Sequence, residues 1–274
     1  MKKRKLHSIG IIAAAVITLV IMMFPFAMIL LNSFKDRLEI FSNPLSLSGF
    51  VGLENYRNAF ATMRYFSGIT NSIFVTFFSL LVIVVFSSML AYFLVRWKWK
   101  LNKIVFLLLV ASMIIPFQTL MIPLVSIYGR MGILNSRPML IYFYLGFGLS
   151  LSTFMYHGFI KGISQSLEEA AIIDGCSRIG VFWRIVFPNL APVTATVVIL
   201  NLLWIWNDFL LPSLVLLHDF QRTLPLSTFY FFGTYTAEFG QGMAALIMSI
   251  IPILIIYLVL QKQIIRGVTE GAVK

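Results

Sequence analysis

Residues Ser166 to Pro192 read SLEEAAIIDGCSRIGVFWRIVFPNLAP. This stretch is the longest break between apolar runs that keeps a helical periodicity of its own. It holds Glu168, Glu169 and Asp174, three of the ten acidic residues of the chain. Ser166 and Glu169 have the spacing of a capping box, in which hydroxyl and carboxylate satisfy free amides at a helix start. The acidic pair suits the positive end of the helix dipole. Ala170 and Ala171 keep the helix thin, so that another surface can approach its backbone. Gly175 is placed to take a positive φ and end the helix in a tight reversal. Beyond it, Ile179, Phe182, Trp183 and Val186 fall roughly on one helical face, and Pro188 and Pro192 are expected to stop that helix. Local signals of this kind fit a docking element and a hairpin lying on a membrane surface equally well.

The rest of the chain decides what this stretch interrupts. Of 274 residues, 59% are hydrophobic and 11% charged, with mean hydropathy +0.93. A soluble domain carries about 25% charged residues, so the chain is a polytopic membrane protein. Its net charge of +11 comes from short basic clusters between apolar runs. Such clusters encode orientation and do not form a nucleic-acid surface. A single cysteine, Cys176, excludes an internal disulfide and a cysteine-based metal cluster. The three histidines are scattered, and His157 is expected to be packed or hydrogen-bonded within a span.

Six spans are expected. The first, about Ile9 to Leu31, follows Lys2, Lys3, Arg4 and Lys5, and has no small-residue cleavage site. The second runs from about Asn71 to Val95 and the third from about Ile104 to Tyr128, with Pro116 and Pro123 as kinks. The fourth covers about Pro138 to Ile160, the fifth Val193 to Leu217, and the sixth Gln241 to Ile265 before a short polar tail. Asn32 to Thr70 is expected to be a partly folded loop, and a second loop, His218 to Gly240, carries Phe229 to Phe232. Six spans put both termini on one side. That side collects fourteen Lys and Arg residues against seven opposite, which marks it as cytoplasmic.

With the topology in place, the motifs resemble a known family. Glu169-Ala170-Ala171, Gly175, Ile185 and Phe187-Pro188 have the spacing of the EAA loop of ABC-importer permeases, in which Leu is common where Phe187 stands. Asp174 and Phe182 also match the carbohydrate-importer version. Asn71-Ser72, Gly132-Ile133-Leu134-Asn135-Ser136, Trp206-Asn207-Asp208-Phe209 and the ending Arg266 to Lys274 resemble family stretches in the same order. The chain is thereby identified as similar to maltose-type sugar permeases. The resemblance implies an all-α fold of six transmembrane helices (the type I importer fold), forming one permease domain over residues 1–274 in the bacterial plasma membrane, with residues 166–192 as cytoplasmic coupling helices. It implies as partners a pair of ATPase subunits, a second homologous permease, an extracytoplasmic solute-binding protein and the lipid bilayer. Glu168, Glu169, Ala170, Ala171, Asp174 and Gly175 would then meet the ATPase.

No Gly-x-x-x-x-Gly-Lys-(Ser/Thr) phosphate loop exists in the sequence, so ATP and Mg²⁺ are expected in the partners, with no cofactor or enzymatic activity in this chain. Asp208 is the only acidic residue placed inside a span. With Asn207 and Trp204 it is a candidate for the substrate path, and an interhelical hydrogen bond or interface anchor is the alternative. An ion-coupled transporter or channel is the competing function, disfavoured by the lone Asp208 and the lack of an internal repeat. A membrane scaffold is a third.

Overall fold

The computed structural model describes residues 2–232 and 238–272, with side chains described for 10–232, 238–259 and 261. The basic cluster at Lys2 to Lys5 and the ending Arg266 to Lys274 therefore lie outside the described side chains. Among the described residues four helices are long and apolar enough to cross a membrane, with up to six spans if each of two bent helix pairs counts as one. The contacts divide into two compact units, residues 1–65 with 227–253 and residues 66–226 with 254–274.

In the first unit, α1 (Lys2–Asn32) contains the 23-residue apolar stretch Gly10–Asn32, buried within the chain nowhere but at its last residue, Asn32. The loop that follows is folded, as its polar punctuation predicts. Asp36 caps the short α2 (Arg37–Ser42) through the Glu39 amide at 2.9 Å. Lys35 is fully buried, and its Nζ donates to the carbonyls of Asn43 (2.9 Å) and Pro44 (3.3 Å), so the desolvated ammonium is paid back by the loop it closes. Asn55, at the start of α3 (Glu54–Thr62), donates to the carbonyls of Ser33 and Lys35 at 3.0 and 2.8 Å.

Hydroxyls of Ser48 and Ser46 donate to the half-buried Glu39 at 2.7 and 2.9 Å and hold its carboxyl below the usual glutamate range. A depressed folded pKa means that its contribution is present above the ordinary carboxylate range and lost as pH falls through the lowered value. A carboxylate-detected NMR titration is expected to show Glu39 still ionised where free glutamate is half protonated. An ordinary midpoint would remove these two hydrogen bonds from the account.

The second unit opens with most of α4 (Tyr65–Arg96). The expected third span is broken outright: α5 (Lys100–Ser112) and α6 (Phe117–Arg130) meet at 101°. Pro116 stands in the break as the N-cap of α6, where its extended ψ of 135° cannot continue a helix. Pro123 lies inside α6. The turn before α7 (Arg137–Ile160) explains the Gly132-to-Ser136 stretch. Asn135 takes a positive φ of 65°, and its Oδ1 accepts from the amides of Leu217 and His218 at 2.9 and 3.1 Å. Ser136 caps α7 through the Met139 amide. Asn71-Ser72 has a matching task. Asn71 donates to the carbonyls of Phe220 and Arg222 and accepts from Arg137, while Ser72 accepts from the Leu224 amide at 2.8 Å.

The expected fifth span is interrupted as well. Helix α11 (Ala191–Asn207) ends at Asp208, and a separate turn, Leu210–Val215, follows. The expected sixth span continues as helix from Phe239 to Ala272, past the point where a polar tail was expected to begin.

Two apolar clusters fill this unit. One gathers Val75, Ile83, Leu140, Tyr144 and Val215, and the other gathers Ala91, Tyr156, Ile160, Phe182 and Leu190. At Gly148, α7 packs tightly against its neighbours. A Cβ there would lie 2.6 Å from Ile83 Cδ1 and 2.9 Å from Asn201 Oδ1. Gly148→Val is expected to cost about 1–3 kcal/mol through overpacking, read as a lower midpoint of thermal unfolding in detergent. An unchanged midpoint would mean that this contact is soft.

Candidate functional site

The connection between α7 and α11 is built from short helices whose ends are all accounted for. Helix α8 (Gln165–Ile173) begins two residues before the start that a Ser166 cap implies, with Ser164 and not Ser166 as its N-cap. Ser164 Oγ accepts from the Ser166 amide at 3.3 Å and lies 2.7 Å from Ser166 Oγ. The expected capping box of Ser166 and Glu169 is therefore replaced by this serine pair, which leaves Glu169 exposed. At the other end, the amide of Gly175 donates to Ile172 O (3.0 Å) and that of Cys176 to Ala171 O (2.9 Å). This is a Schellman closure, and it requires the left-handed φ of 88° that Gly175 adopts. Nothing lies within 4 Å of a Cβ built at Gly175, so conformation and not space demands glycine there.

Ser177 caps the next helix, α9 (Arg178–Val181), through the Gly180 amide at 3.1 Å. The chain then passes through a π-helical turn, Phe182–Val186, in which the Phe187 amide reaches back five residues to Phe182 O. That turn shifts the helical register. The expected apolar face of Ile179, Phe182, Trp183 and Val186 is accordingly rearranged. Val181, Phe182 and Val186 are buried, whereas Ile179 is 70% exposed. The helical run continues through α10 (Phe187–Asn189) and ends one residue past Pro188, as expected, whereas Pro192 sits in the first turn of α11, where its missing N–H costs nothing. The bend before α11 is 76°.

The structure sorts the candidate docking residues by face. Glu169, Ala170, Asp174 and Gly175 are exposed, together with Ile172 and Ile173, the latter 85% exposed. Glu168 and Ala171, one turn apart, are buried. Glu168 meets Arg96 of α4 at 2.6 Å and accepts from the Tyr92 hydroxyl at 2.8 Å. Sequence reasoning missed this pairing because Arg96 reads as one member of a basic cluster, and nothing local distinguishes it from Lys98 or Lys100.

At the second candidate site Asp208 stands in the break after α11. Its Oδ1 accepts from the amides of Leu210 (2.9 Å) and Leu211 (3.4 Å), and its Oδ2 accepts from Tyr144 of α7 at 3.0 Å. Tyr144 is fully buried, with its ring edge-on to Trp204 at 5.4 Å. Asn207 donates back to Leu203 O at 2.7 Å, so its amide serves its own helix. The interhelical hydrogen bond is thus present. Asn201, which sequence reasoning did not single out, is buried and donates to Ser152 of α7 at 3.1 Å. An asparagine in the middle of an apolar span is the signal that would have found it. His157 stacks on Phe106 at 3.9 Å, in line with the expected packing role. A groove of about 580 Å³ between α5, α6 and α7 is lined by Tyr128, Tyr142, Phe143, Phe147 and Ser150 among others.

Comparison with known proteins gives this geometry its context. Residues 83–270 match the model of the binding-protein-dependent transport system inner membrane component family. The chain is 47% identical, over 91% of each chain, to the probable starch degradation products transport system permease protein AmyC of Thermoanaerobacterium thermosulfurigenes. It is 36% identical, over 93% of each, to the multiple sugar-binding transport system permease protein MsmG of Streptococcus mutans. It is 35% identical, over 91% of each, to the melibiose/raffinose/stachyose import permease protein MelC of Bacillus subtilis. Among solved structures, a chain of a bacterial ABC transporter that imports the polysaccharide alginate superposes with a TM-score of 0.76 at 18% identity, covering 96% of this chain and 98% of that one. The same fold is found, with a TM-score of 0.69, in an alginate transporter complexed with an alginate pentasaccharide-bound periplasmic protein. Helices, spans, motifs and relatives converge: the chain belongs to the binding-protein-dependent transport system inner membrane components, as a multi-pass permease subunit of an ABC importer in the bacterial inner membrane.

Proposed function

We propose that this permease conducts a carbohydrate, delivered by a solute-binding protein outside the membrane, through a pathway opened by ATPase subunits on the cytoplasmic side. The observation that carries the reading is the open face of α8. Glu169, Ala170, Ile173, Asp174 and Gly175 are presented to the surroundings by a helix whose other face is fixed in the protein. A rigid short helix offered in this way suits insertion into a groove of another subunit and the transfer of force from it. Residues 166–192 then form the coupling element, with both termini on the same, cytoplasmic side as the excess of basic residues suggests.

The carbohydrate class is supported by the sugar-transport names of the relatives, and starch-derived oligosaccharides stand first because AmyC shares 47% of aligned residues. A second, homologous permease and a pair of ATPases complete the importer, and ATP with Mg²⁺ binds in those ATPases. The aromatic and hydroxyl-lined groove between α5, α6 and α7 and the Asp208 break are the places in this chain where a sugar would be met.

Membrane vesicles carrying the complete importer test the reading. Uptake of radiolabelled maltotriose, with melibiose and raffinose in parallel, is expected to require ATP and to persist when a protonophore collapses the proton gradient. Uptake driven by that gradient without ATP would establish an ion-coupled carrier instead.

A further inference from the structure

We infer that Arg96, Glu168 and Tyr92 form a latch that makes the coupling helix α8 move with α4 as one lever, so that Glu168 is a positioning residue and not part of the docking face. This inference rests on the docking role proposed for residues 166–192.

The geometry is specific. Both carboxylate oxygens of Glu168 are engaged: Oε1 by Arg96 Nε at 2.7 Å and by Nη2 at 2.6 Å, Oε2 by the Tyr92 hydroxyl at 2.8 Å. The Arg96 Nη2 also donates to Ile163 O at 3.0 Å, so the guanidinium grips the turn before α8 as well as the helix itself. Arginine and glutamate side chains are only 12% and 6% exposed. Arg96 is the last residue of α4, and Tyr92 lies one turn before it.

The second half of the loop is held at the same place. Phe182, almost fully buried, packs on Tyr92 with ring centroids 5.3 Å apart, and Arg178 stands over the Trp97 ring at 5.5 Å. Three consecutive pieces of the loop (the Ile163 turn, α8 and α9 with its π-turn) therefore converge on one end of α4. A buried ion pair is a poor source of net stability compared with apolar packing. What it supplies is a fixed relative position, because a displaced pair leaves two desolvated charges without partners. Arginine suits the task better than lysine, since its rigid planar fork grips the carboxylate through two nitrogens while Nη2 also reaches the Ile163 carbonyl.

The test uses the complete importer reconstituted in nanodiscs with cysteine-free partner subunits and the Cys176→Ser chain. Spin labels are placed at Gln165, the first residue of α8, and at Phe86, an exposed position on α4. Pulsed EPR then reads the distance between them with and without a non-hydrolysable ATP analogue. A lever predicts a narrow distribution that the analogue does not shift. In Glu168→Gln and Arg96→Lys the distribution is expected to become about twofold broader, as a locally released element does, and to shift with the analogue. A purely structural role would lower the amount of assembled complex without broadening the distances in what assembles. The inference is overturned if the unmutated pair shifts with nucleotide, or if both variants stay narrow. Co-purification of the ATPase with Glu169→Lys and with Gly175→Val keeps the two readings apart: normal yields with both sink the docking role itself, whereas their loss alongside narrow latch variants sinks the latch alone.

Discussion

Glu169→Lys is expected to insert, fold and remain in the membrane while losing the ATPase subunits on purification. Glu169 is exposed on α8 and makes none of the hydrogen bonds that hold the helix ends, which belong to Ser164, Gly175 and Cys176. Reversing its charge leaves the fold intact and changes only what a partner meets. At a complementary interface such a reversal costs about 2–5 kcal/mol, which is roughly 30-fold or more in affinity. Gly175→Val is expected to reach the same outcome by a different route. A β-branched residue at φ 88° is a backbone outlier, so the Schellman closure opens and Asp174 and Ile173 lose their positions. The measurement is the ATPase recovered per permease by affinity purification, with ATP-driven uptake alongside. If both variants retain wild-type recovery and uptake, α8 is not the coupling element. Loss with Gly175→Val alone would mean that the shape of the element matters and the charge of Glu169 does not.

The parts of this fold that rest on local chemistry could be read from the sequence. Apolar runs of span length placed the long helices, and the glycine at 175 announced a helix end because few other residues reach that φ. Where the reading failed, longer-range or cooperative effects were responsible. A serine two residues upstream took the cap from Ser166, since Ser164 and Ser166 are equivalent as sequence and differ only in where the chain leaves α7. The π-turn at Phe182–Val186 displaced Ile179 from the buried face, and an ideal helical period has no means of showing such a turn. Pro116 signalled a disturbance but not its size, because a 101° break and a mild kink have the same residues. The division of the acidic pair, Glu168 inward and Glu169 outward, depends on Arg96, some seventy residues away in sequence. Asn71-Ser72 and Asn135 were recognisable as motifs, yet their task of holding the 217–224 segment needed coordinates.

Asp208→Leu is expected to destabilise the protein more than Tyr144→Phe, because the carboxylate serves two helices at once. Its Oδ1 caps the turn Leu210–Val215 through two amides, and its Oδ2 receives the hydroxyl of the fully buried Tyr144. Removing the tyrosine hydroxyl deletes one bond between α7 and the break, and within bilayers such bonds average about 0.6 kcal/mol, with about 1.7 at most. Removing the carboxylate leaves the hydroxyl and both amides without an acceptor where water is scarce, at about 1–3 kcal/mol for each group that stays unsatisfied. Asp208→Leu should therefore lower the unfolding midpoint in detergent several times further than Tyr144→Phe. In the double variant the tyrosine should contribute almost nothing more, so that the coupling equals the effect of Tyr144→Phe alone, about 0.6 kcal/mol. Asp208→Asn separates this structural task from contact with sugar, since an amide oxygen still caps Leu210 and Leu211. With a structural task alone, Asp208→Asn retains ATP-driven uptake together with most of its stability. Wild-type stability combined with an uptake loss of tenfold or more, about 1.4 kcal/mol, would instead place Asp208, with the exposed face of Trp204 beside it, on the substrate path.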